Sequence, residues 1–159
     1  MRKPLIYAVV VALLFDLAVT AGIGSRVTMY VGGTLTNIKE GTEGTSSTAD
    51  EKTFVFTYKT GKQKTDLKVP YERINSLEYG QKAGRRLGLA IVLTPLALLS
   101  KKRKHFITVG YLDDSEKQQA AVFELGKDIV RTTLASLEAR TGKKIEYEDE
   151  EARKSGKGN

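Results

Sequence analysis

The chain has no cysteine and no tryptophan, and only one histidine, two methionines and three prolines in 159 residues. Without a thiol there is no disulfide, no thiolate metal site, no cysteine nucleophile and no lipid-modified N-terminal cysteine. The missing cysteines leave the redox compartment open, because such a chain is stable in either. With His105 as the single imidazole, a His-rich metal centre cannot be assembled within one chain. One stretch also lacks acid: between Glu78 and Asp113 there is no Asp or Glu.

The same stretch holds Lys82, Arg85, Arg86, Lys101, Lys102, Arg103 and Lys104, seven cations against a formal net charge of +7 for the whole chain. The rest of the sequence is therefore balanced, and the natural partner of such a patch is a polyanion. Between the two basic clusters, residues 87–100 carry no charge at all. As a helix these 14 residues would be roughly 21 Å long, short of the roughly 30 Å hydrocarbon layer of a bilayer. Pro95 would kink such a helix, and cations at both ends favour keeping both ends on one side of a membrane. Two other readings remain. The run is a buried strand or core helix, or it is a membrane-inserting loop whose leucines enter the acyl boundary while the flanking cations sit among anionic headgroups.

The N-terminus carries its own apolar run. Arg2 and Lys3 precede residues 5–15, which are wholly apolar or aromatic, and Val19, Thr20 and Ala21 offer small residues for cleavage. This is the pattern of an export signal over 1–21. The alternative is an uncleaved anchor, against which Asp16 counts, since a carboxylate near mid-membrane costs about 2.5–3.5 kcal/mol. The expected location is therefore the periplasm or cell envelope.

The body, 22–142, reads as mainly β. Alternation of apolar and polar residues predicts six strands, near 26–36, 53–59, 63–70, 71–80, 105–112 and 118–125. Gly32 and Gly33 mark a bulge or bend in the first. Residues 37–51 are polar and rich in Ser, Thr and Gly, and read as a loop. After Gly126 the period changes. Ile129, Val130, Thr133, Leu134, Leu137 and Thr141 recur at helical spacing, with Asp128 as the expected N-cap and Gly142 as the stop. Residues 143–159, charged and poor in apolar side chains, are expected to be a disordered tail.

Short antiparallel strands followed by one helix resemble the pleckstrin-homology-like (PH-like) fold. Residues 69–79 (VPYERINSLEY), the basic residues and apolar run after them, and residues 101–109 (KKRKHFITV) look like bacterial proteins of that type carrying a signal peptide. The resemblance implies a strongly bent, partly open barrel of six to seven strands, closed at one end by the helix. It also implies binding of lipids, peptides or other domains, and rarely catalysis. Members that bind phosphoinositides use a Lys/Arg cluster in the first hairpin. Here that region holds Lys39, Glu40 and Glu43.

No residue set calls for an enzyme or a cofactor. The pair Asp113 and Asp114 sits in a turn, where Asp is ordinary, and lacks the spaced ligands of a calcium loop. The acids 148–151 fall in the expected tail. Nucleic acid is disfavoured as the polyanion, because the apolar run has no aromatic side chain for base stacking. The expectation is a non-enzymatic, exported module that docks on an anionic envelope membrane. The candidate contact residues are Lys82, Arg85, Arg86, Leu89, Ile91, Leu93, Leu96, Leu98, Lys101, Lys102, Arg103 and Lys104. The alternative is an envelope protein-interaction module in which residues 87–99 form core or a subunit interface.

Overall fold

Period-two alternation puts Phe54, Phe56 and Tyr58 on one face of a strand and Ile107, Val109 and Tyr111 on one face of another. The structure, a computed structural model, buries both sets in a single core. It describes residues 27–80, 92–93 and 104–157. The export-signal region 1–21 and most of the insert 85–104 lie outside the described residues.

The elements follow in the order β1 (Val27–Gly33), β2 (Thr42–Ser47), β3 (Thr53–Thr60), β4 (Gln63–Pro70), a 3₁₀ turn (Tyr71–Arg73), β5 (Ile74–Gly80) and β6 (Val92–Leu93). They continue with β7 (His105–Leu112), β8 (Gln118–Leu125), helix α1 (Val130–Thr141), β9 (Ile145–Tyr147) and helix α2 (Glu150–Lys157). Eight strands hydrogen-bond in the order β4-β3-β2-β1-β8-β7-β5-β9, and the sheet is not closed. The two-residue β6 joins β1 beside this path. All pairings are antiparallel except β5 with β9. The protein is thus mainly β, with two helices at the C-terminal end.

All six segments expected as strands are strands. Strands β2 and β9 were not expected, and β6 is a short piece of the apolar run for which a buried strand was one of the open readings. Strand β2 reads TEGTSS and has no apolar side chain to alternate. It is a strand because β1 and β3 satisfy its backbone on both sides. Its inward contact is polar, a buried hydrogen bond of 2.8 Å between Thr28 Oγ1 and Ser46 Oγ. Gly44 within it lies under the Phe56 ring, where a Cβ would collide. Strand β6 has two residues, too few to show a period.

Strand β9 and helix α2 replace the expected disordered tail over residues 143–157. Leu77, Glu78 and Tyr79 of β5 pair with Ile145, Glu146 and Tyr147, so three residues cover an otherwise open edge. Helix α2 then docks through Ala152 and Gly156, residues too small to register as an apolar stripe. Gly156 lies against Tyr147, Leu134 and Tyr79. The acids expected to be loose begin this helix. Asp149 Oδ1 accepts the Ala152 N–H at 2.7 Å, and Glu150 pairs with Arg153.

Helix α1 starts one residue later than expected. Asp128 lies in the preceding turn, Ile129 takes the cap position without a side-chain cap, and the Ile129 N–H bonds Gly126 O. Its end is as expected: Gly142 adopts φ 66° and its N–H bonds Glu138 O. The glycine pair in β1 is a bulge. The β1–β8 register shifts between Tyr30 and Gly32, and Gly33, at φ 146°, is packed so closely on the Ala120 carbonyl that no Cβ fits.

Phe123 stands at the centre of the core, fully buried, with Tyr30, Phe54 and Phe56 rings 5.0–5.9 Å from its own. Replacing Phe123 with Ala should lower stability by about 3–5 kcal/mol, read as a shift of the urea midpoint.

Candidate functional site

Register fixes which chain ends meet. Thr28 of β1 pairs with Leu125 of β8, Leu125 with His105 of β7, and Phe106 of β7 with Gly80 of β5. The start of β1, the end of β5, the start of β7 and the end of β8 therefore lie side by side at one end of the sheet. Residues 1–26 enter the body there, and the insert leaves and re-enters there. Val27, the one exposed large hydrophobic among the described residues, sits at this entry.

The charge divides at the same place. Among the described residues Lys and Arg are nearly matched by Asp and Glu. The excess is carried by Arg2, Lys3, Arg26, Lys82, Arg85, Arg86, Lys101, Lys102 and Arg103, opposed by Asp16 alone. All of these stand on residues 1–26 or on the insert, which connect to strand ends on this side, and the insert also pairs through β6 with Gly32 and Gly33 farther along β1.

Of the candidate contact residues, Lys82, Arg85, Arg86, Leu89, Ile91, Leu96, Leu98, Lys101, Lys102 and Arg103 lie outside the described residues. Leu93 is in β6, where Val92 and Leu93 pair with Gly33 and Gly32 of β1. Lys104 is engaged within the body. Its ammonium sits 2.8 Å from Glu124 Oε2 on β8, and both side chains are about four-fifths buried. That pair removes Lys104 from the free cations of the cluster.

Beside Lys104, His105 makes a contact that sequence spacing could not reveal. Its Nδ1 is 2.6 Å from the Tyr79 hydroxyl, and the two rings lie nearly parallel. The Tyr79 hydroxyl also lies 3.3 Å from Ser155 Oγ on α2. Burial, with Lys127 adding to it, pushes the His105 imidazole below its ordinary value of 6.5, while Glu124 opposes the shift. Burial also raises the Tyr79 phenol, against the Ser155 hydrogen bond. The pair is therefore neutral near pH 7 and serves to tie α2 to the sheet end.

The adjacent carboxylates Asp113 and Asp114 are engaged within their turn and with Arg73. Asp113 Oδ1 accepts the N–H groups of Ser115 and Lys117, and Oδ2 accepts from Gln119. The Gln119 bond first, then those of the turn, holds its carboxyl below the usual range. Asp114 faces Arg73 at 3.5 Å. Among the described residues no three His, Asp or Glu side chains converge as a metal site, and no described helix is long and apolar enough to cross a membrane.

One cleft, of about 600 Å³, opens between the β2–β3 turn, the 3₁₀ turn and the end of α1. Arg140 lies 5.6 Å over the Tyr71 ring there, and the buried Tyr71 hydroxyl has no hydrogen-bond partner among the described residues. Glu51, Lys52 and Glu72 complete a lining of mixed sign that selects no single ligand charge. Compared with known proteins, the chain matches no family model, no curated protein and no solved structure.

The His105 arrangement fixes a pH response. A depressed imidazole binds fewer protons folded than unfolded, so its contribution to stability is present above the unfolded value and is lost as pH falls through the folded one. NMR titration of this single histidine should give a midpoint below 6.5. Tyr79→Phe should loosen α2 by about 0.5–1.5 kcal/mol, seen as faster amide exchange over residues 150–157.

Proposed function

We propose that the protein is an exported, non-enzymatic binding module of PH-like architecture that docks reversibly on an anionic envelope membrane through residues 85–104. The observation that carries this reading is the gathering of the chain's excess positive charge, and of both its apolar runs, on segments that join one end of the sheet. With a nearly neutral body, cations carried on such segments favour one orientation on an anionic surface. Each cation near such a surface contributes about 1 kcal/mol, and each fully buried aliphatic side chain about 1.5–3 kcal/mol.

The connectivity supports the PH-like part of the reading. Strands β1 to β4 form an antiparallel meander, β5, β7 and β8 form a second, and a helix follows the last of them. Strands β6 and β9 and helix α2 are then additions to that plan. Export rests on the pattern over residues 1–21.

A second reading is favoured by the β6 pairing. It ties part of the apolar run to the edge of β1. On that reading residues 87–99 belong to the body or to a subunit interface, and the partner is an envelope protein.

Co-sedimentation with vesicles decides between them. Vesicles containing phosphatidylglycerol should capture the full chain, and phosphatidylcholine vesicles should not. Changing Lys101, Lys102 and Arg103 to Gln should weaken capture roughly a hundredfold. If the Leu89→Asp/Leu93→Asp variant is captured as well as the wild type, the membrane reading is wrong.

A further inference from the structure

The cleft at the end of α1 has walls that are fixed by the protein's own bonds. On one side the β2–β3 turn is pinned by Asp50, whose Oδ1 accepts the Lys52 and Thr53 N–H groups at 2.8 and 2.7 Å and the Thr53 hydroxyl at 3.0 Å. The 3₁₀ turn is tied to it, since the Tyr71 N–H donates to Lys52 O at 2.9 Å and Thr53 pairs with Pro70 across β3 and β4. Helix α1 closes the third side with Arg140, whose guanidinium lies over the Tyr71 ring.

The charged groups on these walls do not neutralise one another. Glu51, Lys52, Glu72 and Arg140 are all exposed and all line the cleft. The ion pairs among the described residues are Arg73–Asp114, Lys104–Glu124 and Arg153–Glu150, and none of the four belongs to one. Two carboxylates and two cations thus face one space of about 600 Å³ without pairing across it. Beside them Tyr71, only 3% exposed, buries a hydroxyl with no hydrogen-bond partner among the described residues. Buried polar groups are nearly always bonded, and an unmet one next to a cleft points to a group from outside.

We infer that this cleft is a binding site for a short peptide with both ends uncapped. A lining of both signs selects no single charge, but it does select a ligand that carries both. Two groups of each sign leave the cleft formally neutral, as such a ligand is. The Arg140 fork suits a carboxylate, which it can hold by two parallel hydrogen bonds, and the aromatic ring against it restrains the guanidinium before the ligand arrives. Glu51 and Glu72, on two different turns, suit an ammonium. Pro70 and the Tyr71 ring add apolar surface for a side chain. The volume lies within the range of small-molecule sites, about 300–1,000 Å³. Walls held by the turn bonds keep the cost of ordering them low when the ligand enters.

The site uses none of residues 85–104, so it stands whether or not the protein docks on a membrane. An amide NMR titration of the isotope-labelled full chain with the dipeptide alanyl-leucine tests it. Shifts should centre on Lys52, Thr53, Tyr71, Glu72 and Arg140 and saturate in the millimolar range. The N-acetylated and the C-amidated dipeptides should each bind roughly tenfold more weakly. Arg140→Gln should abolish the preference for a free carboxylate and keep that for a free ammonium, and Glu51→Gln/Glu72→Gln should do the reverse. Both acids are exposed, so the second variant reports even if loss of Arg140 from the Tyr71 ring unsettles the fold. Shifts centred elsewhere, equal binding by both capped forms, sensitivity to capping at one end only, or no shift with millimolar dipeptide would each overturn the assignment.

Discussion

The structure depends on one aromatic contact set, the Phe123 ring held edge-on and tilted among Tyr30, Phe54 and Phe56. Those four rings come from β8, β1 and β3, strands that span the middle of an open sheet. An open sheet has no hydrogen-bonded closure, so side chains on the core face must hold its strands together. Edge-to-face aromatic pairs add directional preference to the area they bury. Gly44 belongs to the same device, since the absence of a side chain there lets the Phe56 ring lie down on β2.

The two free ends of the sheet are treated differently. At one end β4 carries Lys64, Asp66 and Lys68, charged residues of the kind that discourage pairing with another chain. At the other, β5 is capped by the short β9, and α2 then packs over Tyr79 and Tyr147. The Tyr79 hydroxyl connects that cap to His105 on β7. The segment bearing the excess charge therefore returns to the body beside the place where the C-terminal helix is fastened.

Much of the β framework was legible because apolar alternation is a strong signal in sequences such as TFVFTYK and HFITVGYL. What escaped was held by other forces. Strand β2 is specified by its neighbours' backbones and a buried hydroxyl pair, neither of which has a period. Helix α2 is specified by Ala152 and Gly156, whose smallness is the packing feature, while its Glu, Arg and Lys suggest solvent. The Tyr79–His105–Ser155 contact joins three elements distant in sequence. The basic clusters were legible as charge, but their common attachment to one sheet end follows only from strand register. So does the engagement of Lys104 by Glu124, a partner twenty residues away.

The pairing of β9 with β5 also sets an order in time. Parallel partners cannot be joined by a tight turn, and here residues 74–80 wait for residues 145–147, more than sixty positions later. Until residues 145–147 are available, that edge of β5 is unpaired and Tyr79 is uncovered. Contacts of such long sequence separation form slowly and late. A chain that emerges from its N-terminus, whether from a ribosome or through a narrow pore, would thus complete this part of the sheet only when residues 145–147 were free.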